Sequence, residues 1–491
     1  MTRERGDSGV YNVVVIGGGT AGLVTAAGTA ALGGRVALIE RGPMGGECLN
    51  TGCVPSKALI ASARVVHQIR HAAEWGVESP EPRVDFDAVF ARMRARRAAI
   101  APHDSAERFE SLGVEVIRGS ARFSSPREVV VEAAEAAAGR RLASRNFVIA
   151  TGSRAAVPSI SGLEETGYYT NETVFDELRE RPERLVILGG GPMGCELAQF
   201  FARLGTRVTL VQRSPRIMPR EDPDAADLLR RCLEADGVTI RTGTRIASAR
   251  RSGDEIRLAA ESDSEAGRAL ACDALLLAAG RVPNVEGLEL ERAGVAFTPS
   301  GVTVNAYLQT SRPHIYAAGD VTGLPRFTHV ADSHARTVVR NVLFPWWKAK
   351  REEDVVPWCT YTSPEVAHVG LNEDEARRKG IEYDVYTQDL AGVDRAVLEE
   401  ASLGFAKVLT PKGGDRILGV TLVCERAGDL VSEFALAMKN GIGLDGIART
   451  IHPYPTFSEI ARKLADQRLR SRLTPAAKRL FGWLYRRRRG D

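Results

Sequence analysis

No run in the 491 residues approaches the ~18 consecutive apolar side chains of a membrane-spanning helix, so an integral helical membrane protein is excluded. The opening residues, MTRERGDSG, have no apolar core, and no secretory signal is read there. The expected location is therefore the cytoplasm, where thiols are kept reduced and a disulfide is more often catalytic than structural. Cysteine is scarce and odd in number, seven in all, and Cys195, Cys232, Cys272, Cys359 and Cys424 stand alone. These five read as small buried side chains. Only one closely spaced Cys pair exists, so a four-ligand zinc site has no second half and no metal site is expected. Excess positive charge is missing from most of the surface. Residues 470–491 hold eight Lys or Arg against one Asp, a local +7, so the rest of a chain with net charge +4 carries −3. That excludes a nucleic-acid binder over its whole surface. Apart from this basic end there is no low-complexity segment.

What is present points to a large α/β protein. The length predicts about three domains, and 44% hydrophobic with 26% charged residues is the balance of a soluble globular chain. An apolar run at 11–16, YNVVVI, ends in Gly17-Gly18-Gly19. An Ala-rich helical stretch and a second short strand at 36–39 follow, giving a β–α–β unit. The same order recurs with a strand at 185–188, a glycine loop, a helix over 198–204 and a strand at 208–211. Residues 120–139 read as β-rich with an Ala/Glu-rich turn. Buried strands running into glycine turns are expected at 147–152, 275–280 and 315–320. Beyond about residue 350, short strands (365–370, 383–387, 404–409, 417–423) and helices (427–440, 457–465) predict an α+β domain.

Each glycine loop suits a dinucleotide. In the first, Gly17 permits a tight turn, Gly19 lets the backbone approach a pyrophosphate, and Gly22 allows close helix–strand packing. Thr20 and Ala21 complete the helix N-terminus that attracts the anion. Eighteen residues after Gly22 stands Glu40, placed to accept ribose hydroxyls. The second loop, Gly189-x-Gly191-x-Met193-Gly194, has Gln212 at the matching distance, then Arg213 and Arg216. Without the carboxylate a 2′-phosphate is not repelled, and arginines can pair with it. NADPH is thus the expected donor, with NADH as the alternative. Two dinucleotides in one chain imply hydride passing between them, and the first site suits FAD.

Just downstream of the first loop lies GGECLNTGCVPSK, with Cys48 and Cys53 five positions apart. A regular helix would put these thiols on different faces. Asn50 and Gly52 tolerate irregular backbone, so a reversible bridge is feasible. Pro55 suits a first helical turn, which would set Cys53 at a helix N-terminus that favours thiolate. Lys57, four residues on, lies on the same face and can stabilise a thiolate or a reduced flavin.

With the Cys48–Cys53 centre, Ala150-Thr151-Gly152, Ala279-Gly280-Arg281-x-Pro283-Asn284 and Tyr316-Ala317-x-Gly319-Asp320, the chain resembles the FAD-dependent pyridine nucleotide–disulfide oxidoreductases over roughly residues 11–465. Dihydrolipoamide dehydrogenase, glutathione reductase and mercuric reductase belong to that family. The resemblance implies two Rossmann-like dinucleotide-binding domains plus a C-terminal α+β dimerisation domain. It divides the chain into 1–155 and 286–350 for FAD, 156–285 for NAD(P), 351–470 for dimerisation, and a basic tail at 471–491. It implies that Cys48 exchanges with substrate, that Cys53 contacts the flavin, and that Lys57 pairs with Glu196. It also implies that Thr151, Gly152, Asp320 and Ala331 bind FAD and that Gly280 belongs to the cofactor sites. A homodimer with shared active sites is the implied assembly.

One stretch departs from the family pattern. Dithiol-oxidising members end in His-Pro-x-x-x-Glu, but here the sequence is His452-Pro453-Tyr454-Pro455-Thr456-Phe457-Ser458-Glu459. Aligning on Pro455 and Glu459 puts Tyr454 at the base position, with His452 two residues early. With a reference pKa near ~10, Tyr is a poor base at neutral pH. Glu459 is expected to orient whichever residue serves. The segment 357–362 leans toward the mercuric reductase branch, yet no Cys follows Cys424 and no CxxC is found ahead of Cys48. The expected activity is electron transfer from NAD(P)H through FAD and Cys48–Cys53 to a small-molecule disulfide or thiol-bound metal ion. Dihydrolipoamide dehydrogenase and a low-turnover flavin redox sensor are the alternatives. The aromatic and basic tail reads either as a solvated terminus or as a weak contact with an anionic membrane surface.

Overall fold

The computed structural model describes residues 9–132, 139–261, 270–323 and 325–489. The Ala/Glu-rich turn expected near 133–138 lies outside them. The chain divides into two compact units, one of residues 1–213 and 243–353, the other of residues 214–242 and 354–491.

The first unit opens with β1 (Val10–Ile16), α1 (Thr20–Ala31), β2 (Val36–Glu40), α2 (Gly46–Asn50) and α3 (Cys53–Arg70). β1 lies parallel between β2 and the strand Arg140–Ile149, with Val14 opposite both Ala37 and Phe147. The sheet continues through Val114–Arg118 on one side and the antiparallel strands Glu128–Glu132 and Ser120–Ser125 on the other. Ile315–Ala317 joins Arg140–Ile149 in parallel. Val13, Val14, Val15 and Phe147 are fully buried. A parallel strand covered on both faces needs such a continuous apolar run rather than alternation.

The duplication read from the sequence is present in the backbone. Arg184–Leu188 pairs in parallel with Arg207–Val211 and Ala274–Leu277, and the helix Pro192–Arg203 follows the glycine loop. It begins six residues earlier than the apolar periodicity suggested, with Pro192 in its first turn, where a missing N–H costs nothing. A hairpin sheet of Ile246–Ser252, Glu255–Ala260 and Leu270–Cys272 completes this half.

The second unit carries a five-stranded antiparallel sheet, ordered Pro357–Thr360, Glu365–Gly370, Gly419–Cys424, Phe405–Pro411, Tyr383–Asp389. Helices Ala427–Lys439 and Glu459–Ser471 pack their apolar sides on its core, with Phe434, Ile460 and Leu464 fully buried. It is the α+β unit expected beyond residue 350. Cys195, Cys232, Cys272 and Cys424 are buried as anticipated, while Cys359 is half-buried.

Candidate active site

The two glycine loops are near copies. Gly17 and Gly189 have φ of +110° and +118°, a region that side chains rarely adopt. A Cβ on Gly17 would stand 2.3 Å from the Ala150 carbonyl oxygen, and one on Gly189 would stand 2.2 Å from that of Ala278. A Cβ on Gly22 or Gly194 would meet the carbonyl oxygen of Gly17 or Gly189 at 1.8 Å. Neither following helix has a side-chain cap: the N-cap residues are Gly19 and Gly191. Their first-turn N–H groups therefore face outward as an anion-binding end. Glu40 accepts from the backbone N–H of Gly18 and of Gly42. Gln212 does the same work in the second loop, accepting from Gly190 at 3.0 Å. Arg213 is exposed beside it. Arg216, expected to help with a 2′-phosphate, instead points its guanidinium at the Glu221 carbonyl and at Asp374, at 3.3 and 3.4 Å.

The dithiol sits at a helix break. Cys48 lies in α2, Thr51 and Gly52 interrupt the helix, and Cys53 is the first residue of α3. Neither cysteine is bridged, Cys48 being half-buried and Cys53 exposed. Lys57 is one turn into α3 and bonds Glu196 at 2.8 Å. Glu196 is only 4% exposed, so its charge is balanced by that ammonium at close range. The two sulfurs titrate as a pair. A hydrogen bond from the Cys48 thiol lowers Cys53 to about 6. The protein crowding the sulfur opposes this although the residue stays exposed, and Thr328 and Lys57 add to the lowering. The same bond, with burial, pushes Cys48 upward. Thr328 Oγ1 stands 3.6 Å from the Cys53 sulfur. The reduced protein should thus show one thiolate appearing near pH 6 in its ultraviolet absorbance. Lys57→Met should move that midpoint upward, and an unchanged midpoint would remove Lys57 from the account.

Motifs distant in sequence meet beside this pair. Thr151 and Asn284 exchange hydrogen bonds of 2.7 and 2.9 Å, joining the Ala150-Thr151-Gly152 and Gly280-Arg281-x-Pro283-Asn284 segments. Ser153 donates to Asp320 at 2.6 Å. Arg281 bonds Ser153 and pairs with Glu47, and its Nη1 is buried without a partner. Burial raises Glu47 to about 7, with Arg281 opposing and Asp320 reinforcing. Behind Asp320, the Gly319 N–H donates to His334 Nδ1, and His334 Nε2 bonds Glu353 at 2.9 Å. That arrangement fixes a neutral imidazole, which burial also favours. Ala331 is buried in the first turn of the helix Thr328–Leu343.

Residues 11–335 match the model of the pyridine nucleotide-disulphide oxidoreductases, and residues 356–465 match the dimerisation domain of the same family. The chain belongs to this family. Mercuric reductase of Streptomyces lividans is 36% identical over 461 residues, covering 93% of this chain and 96% of that one. Dihydrolipoyl dehydrogenase of Thermus scotoductus is 35% identical, covering 93% and 97%. Among solved structures, the Cu(II) complex of the HOCl-induced flavoprotein disulfide reductase RclA from Escherichia coli superposes with a TM-score of 0.83. That match has 28% identity and covers 93% of this chain and 99% of that one. The protein is thus an oxidoreductase that uses FAD and NAD(P)H, and its dimerisation domain supports a homodimer. The uncapped α1 terminus and the buried, unpartnered Arg281 Nη1 fit a dinucleotide such as FAD. Among the described residues no helix is long and apolar enough to cross a membrane, and no group of three His, Cys, Asp or Glu gathers as a metal site.

In this oxidoreductase the expected C-terminal acid–base residues take other partners. The Tyr454 hydroxyl, well exposed, donates to Asp394 at 2.9 Å. That bond raises its pKa further. His452 Nε2 bonds Glu433 at 2.8 Å, and its side chain is 5% exposed. Glu459 orients neither residue; it lies 3.6 Å from Lys463 and keeps one buried oxygen unpartnered. Two residues of the site carry no signal in the sequence: Thr328, three positions before Ala331, and Glu47, inside the dithiol segment.

Proposed function

We propose that the protein passes electrons from NADPH through FAD to the Cys48–Cys53 pair and on to a disulfide or a thiol-bound metal ion. The observation that carries this reading is the pair itself: two cysteines at a helix break, with Thr328 Oγ1 3.6 Å from the Cys53 sulfur and Lys57 one turn on. Gly17, Gly19, Thr20, Ala21, Gly22 and Glu40 would hold the adenosine diphosphate end of FAD. Thr151, Gly152, Asp320, Ala331 and Lys57 would hold the rest. Bound there, FAD supplies a carrier that takes a hydride from the nicotinamide and gives an electron pair to a disulfide. Gly189, Gly191, Met193, Gly194, Gln212, Arg213 and Gly280 would hold NADPH. In this reading residues 1–155 and 286–350 form the FAD portion, 156–285 the nicotinamide portion and 351–470 the dimer contact. Such thiol chemistry suits a cytoplasmic location.

Reduction of the Cys48–Cys53 disulfide takes up two electrons, leaving Cys53 as thiolate with a proton on Cys48. The Cys48 sulfur then attacks an acceptor disulfide. One S–S bond breaks, a mixed disulfide forms, and the Cys48 proton leaves with the first thiol product. The Cys53 thiolate attacks Cys48, releases the second thiolate and restores the internal disulfide. Exposed Tyr454 of the other subunit would shape the entrance to the exchange thiol, donating a hydrogen bond rather than abstracting a proton.

The test is an acceptor panel of an asymmetric disulfide, a mercuric thiolate, a quinone and dihydrolipoamide, run with NADPH and NADH side by side. Turnover with a disulfide or mercuric thiolate, and an NADPH preference that falls about tenfold in Arg213→Ala, are the expected results. The His452–Glu433 pair favours a second reading, because a histidine oriented by a carboxylate is the base that dihydrolipoamide oxidation needs. Turnover confined to dihydrolipoamide and NAD would select that reading. No turnover with any acceptor would leave a redox sensor.

A further inference from the structure

The family match ends at residue 465, but the chain goes on into one more helix, Pro475–Arg489, with no buried residue. Leu480, Phe481, Trp483, Leu484 and Tyr485 are all exposed on it. At the helical advance of ~100° per residue, Ala477, Leu480, Phe481, Trp483 and Leu484 fall within one half of the circumference. Lys478 and Arg479 flank that half, Gly482, Arg486 and Arg489 lie opposite it, and Arg487 and Arg488 follow the apolar residues on the same side at the helix end. The Arg487 guanidinium lies over the Trp483 ring, 5.4 Å from its centre. From 467 to 490 the sequence contains nine Lys or Arg and no acid.

An aromatic and aliphatic face of this size needs a cover. The charge says which. A nucleic acid would use the cations and leave the apolar face in water. An apolar protein groove would bury the face and leave the cations without a counter-charge. An anionic bilayer surface takes both, with leucine, phenylalanine and tryptophan at the headgroup–acyl boundary and arginines among lipid phosphates. Tryptophan and tyrosine favour that boundary. We propose that the helix Pro475–Arg489 is a peripheral anchor that lays its apolar face on an anionic phospholipid surface and tethers the oxidoreductase there.

The test is co-sedimentation of the full chain with vesicles of phosphatidylcholine alone or mixed with phosphatidylglycerol. Binding to the mixed vesicles should exceed binding to the neutral ones by at least about tenfold and fall away at high salt. Two full-length variants separate the contributions. Trp483→Ala with Leu484→Ser removes apolar contact, and Arg486, Arg487, Arg488 and Arg489 changed to Gln remove charge. Both should lose the binding while keeping NADPH-dependent turnover and the size of the wild-type assembly. Equal binding to both vesicle types, or binding retained in both variants, would overturn the proposal. So would an oligonucleotide that binds more tightly and displaces the vesicles, which would mark a nucleic-acid site. A change in subunit assembly in either variant would overturn it too, by showing that a second copy covers this helix.

Discussion

Cys48→Ala is expected to lower NADPH-dependent reduction of a disulfide or mercuric acceptor by at least about a thousandfold, to background. The reason is positional. Cys48 is the half-buried thiol that shares a proton with Cys53, and without it the Cys53 thiolate has no partner with which to form or resolve a disulfide. Reduction of a dye that takes electrons ahead of the thiols should continue, which separates loss of the dithiol step from loss of the fold. The complementary Cys53→Ser leaves the exchange thiol without its resolving partner. An acceptor half should then remain on Cys48 as a mixed disulfide, visible as added mass. Ample turnover by Cys48→Ala would take the dithiol off the electron route.

Lys407→Met is the second large effect, this time on stability. Lys407 is 3% exposed in the strand Phe405–Pro411 and bonds Asp222, Asp224 and Glu373, each at 2.8 Å. Asp222 is 1% exposed and cannot regain water when the ammonium is removed. Leaving one partner of a buried pair uncompensated costs about 3–5 kcal/mol. Lys412→Met provides the contrast, since its pairing with Asp384 is on the surface and should cost less than about 1 kcal/mol. Chemical unfolding of the two variants beside the wild type reads the difference, and equal midpoints would refute the argument. Burial works against the Lys407 charge, but the hydrogen bonds to Asp222, Asp224 and Glu373 outweigh it and hold the ammonium above its ordinary range. A raised folded-state pKa gives stability that is complete below the unfolded value near ~10.4 and lost as pH rises beyond it. The stabilisation by Lys407 should therefore be constant across neutral pH.

The parts of the site legible in the sequence are those that depend on local backbone. Glycines at fixed offsets announce both dinucleotide loops because a Cβ there would collide with main-chain oxygen, whatever the rest of the fold does. The acid at Glu40 and the amide at Gln212 were visible by distance from those loops, though not their work of accepting from loop N–H groups. The dithiol was legible because its two residues and its cation lie within ten positions. What stayed hidden joins elements far apart in the chain. Thr328 reaches Cys53 across 275 positions, and Arg281 gathers Ser153 from 128 positions away and Glu47 from farther still. Lys407 was hidden for another reason. A lysine in a strand reads as solvent-facing until the carboxylates from 222–224 and 373 are seen to converge on it. Tyr454 and His452 are neighbours in sequence, yet their partners Asp394 and Glu433 come from separate helices.

The interruption at Thr51 and Gly52 has a mechanical meaning. On one side α2 is pinned where the Asn50 amide donates to the carbonyls of Met44 and Gly46. On the other, α3 is clamped by Lys57 and Glu196. The break at Thr51 and Gly52 gives the sulfurs backbone bonds about which to rotate while each helix keeps its own anchor. Opening and closing the bridge would then leave the Asn50 and Lys57 contacts in place, so the hinge lies between the two anchors rather than in either.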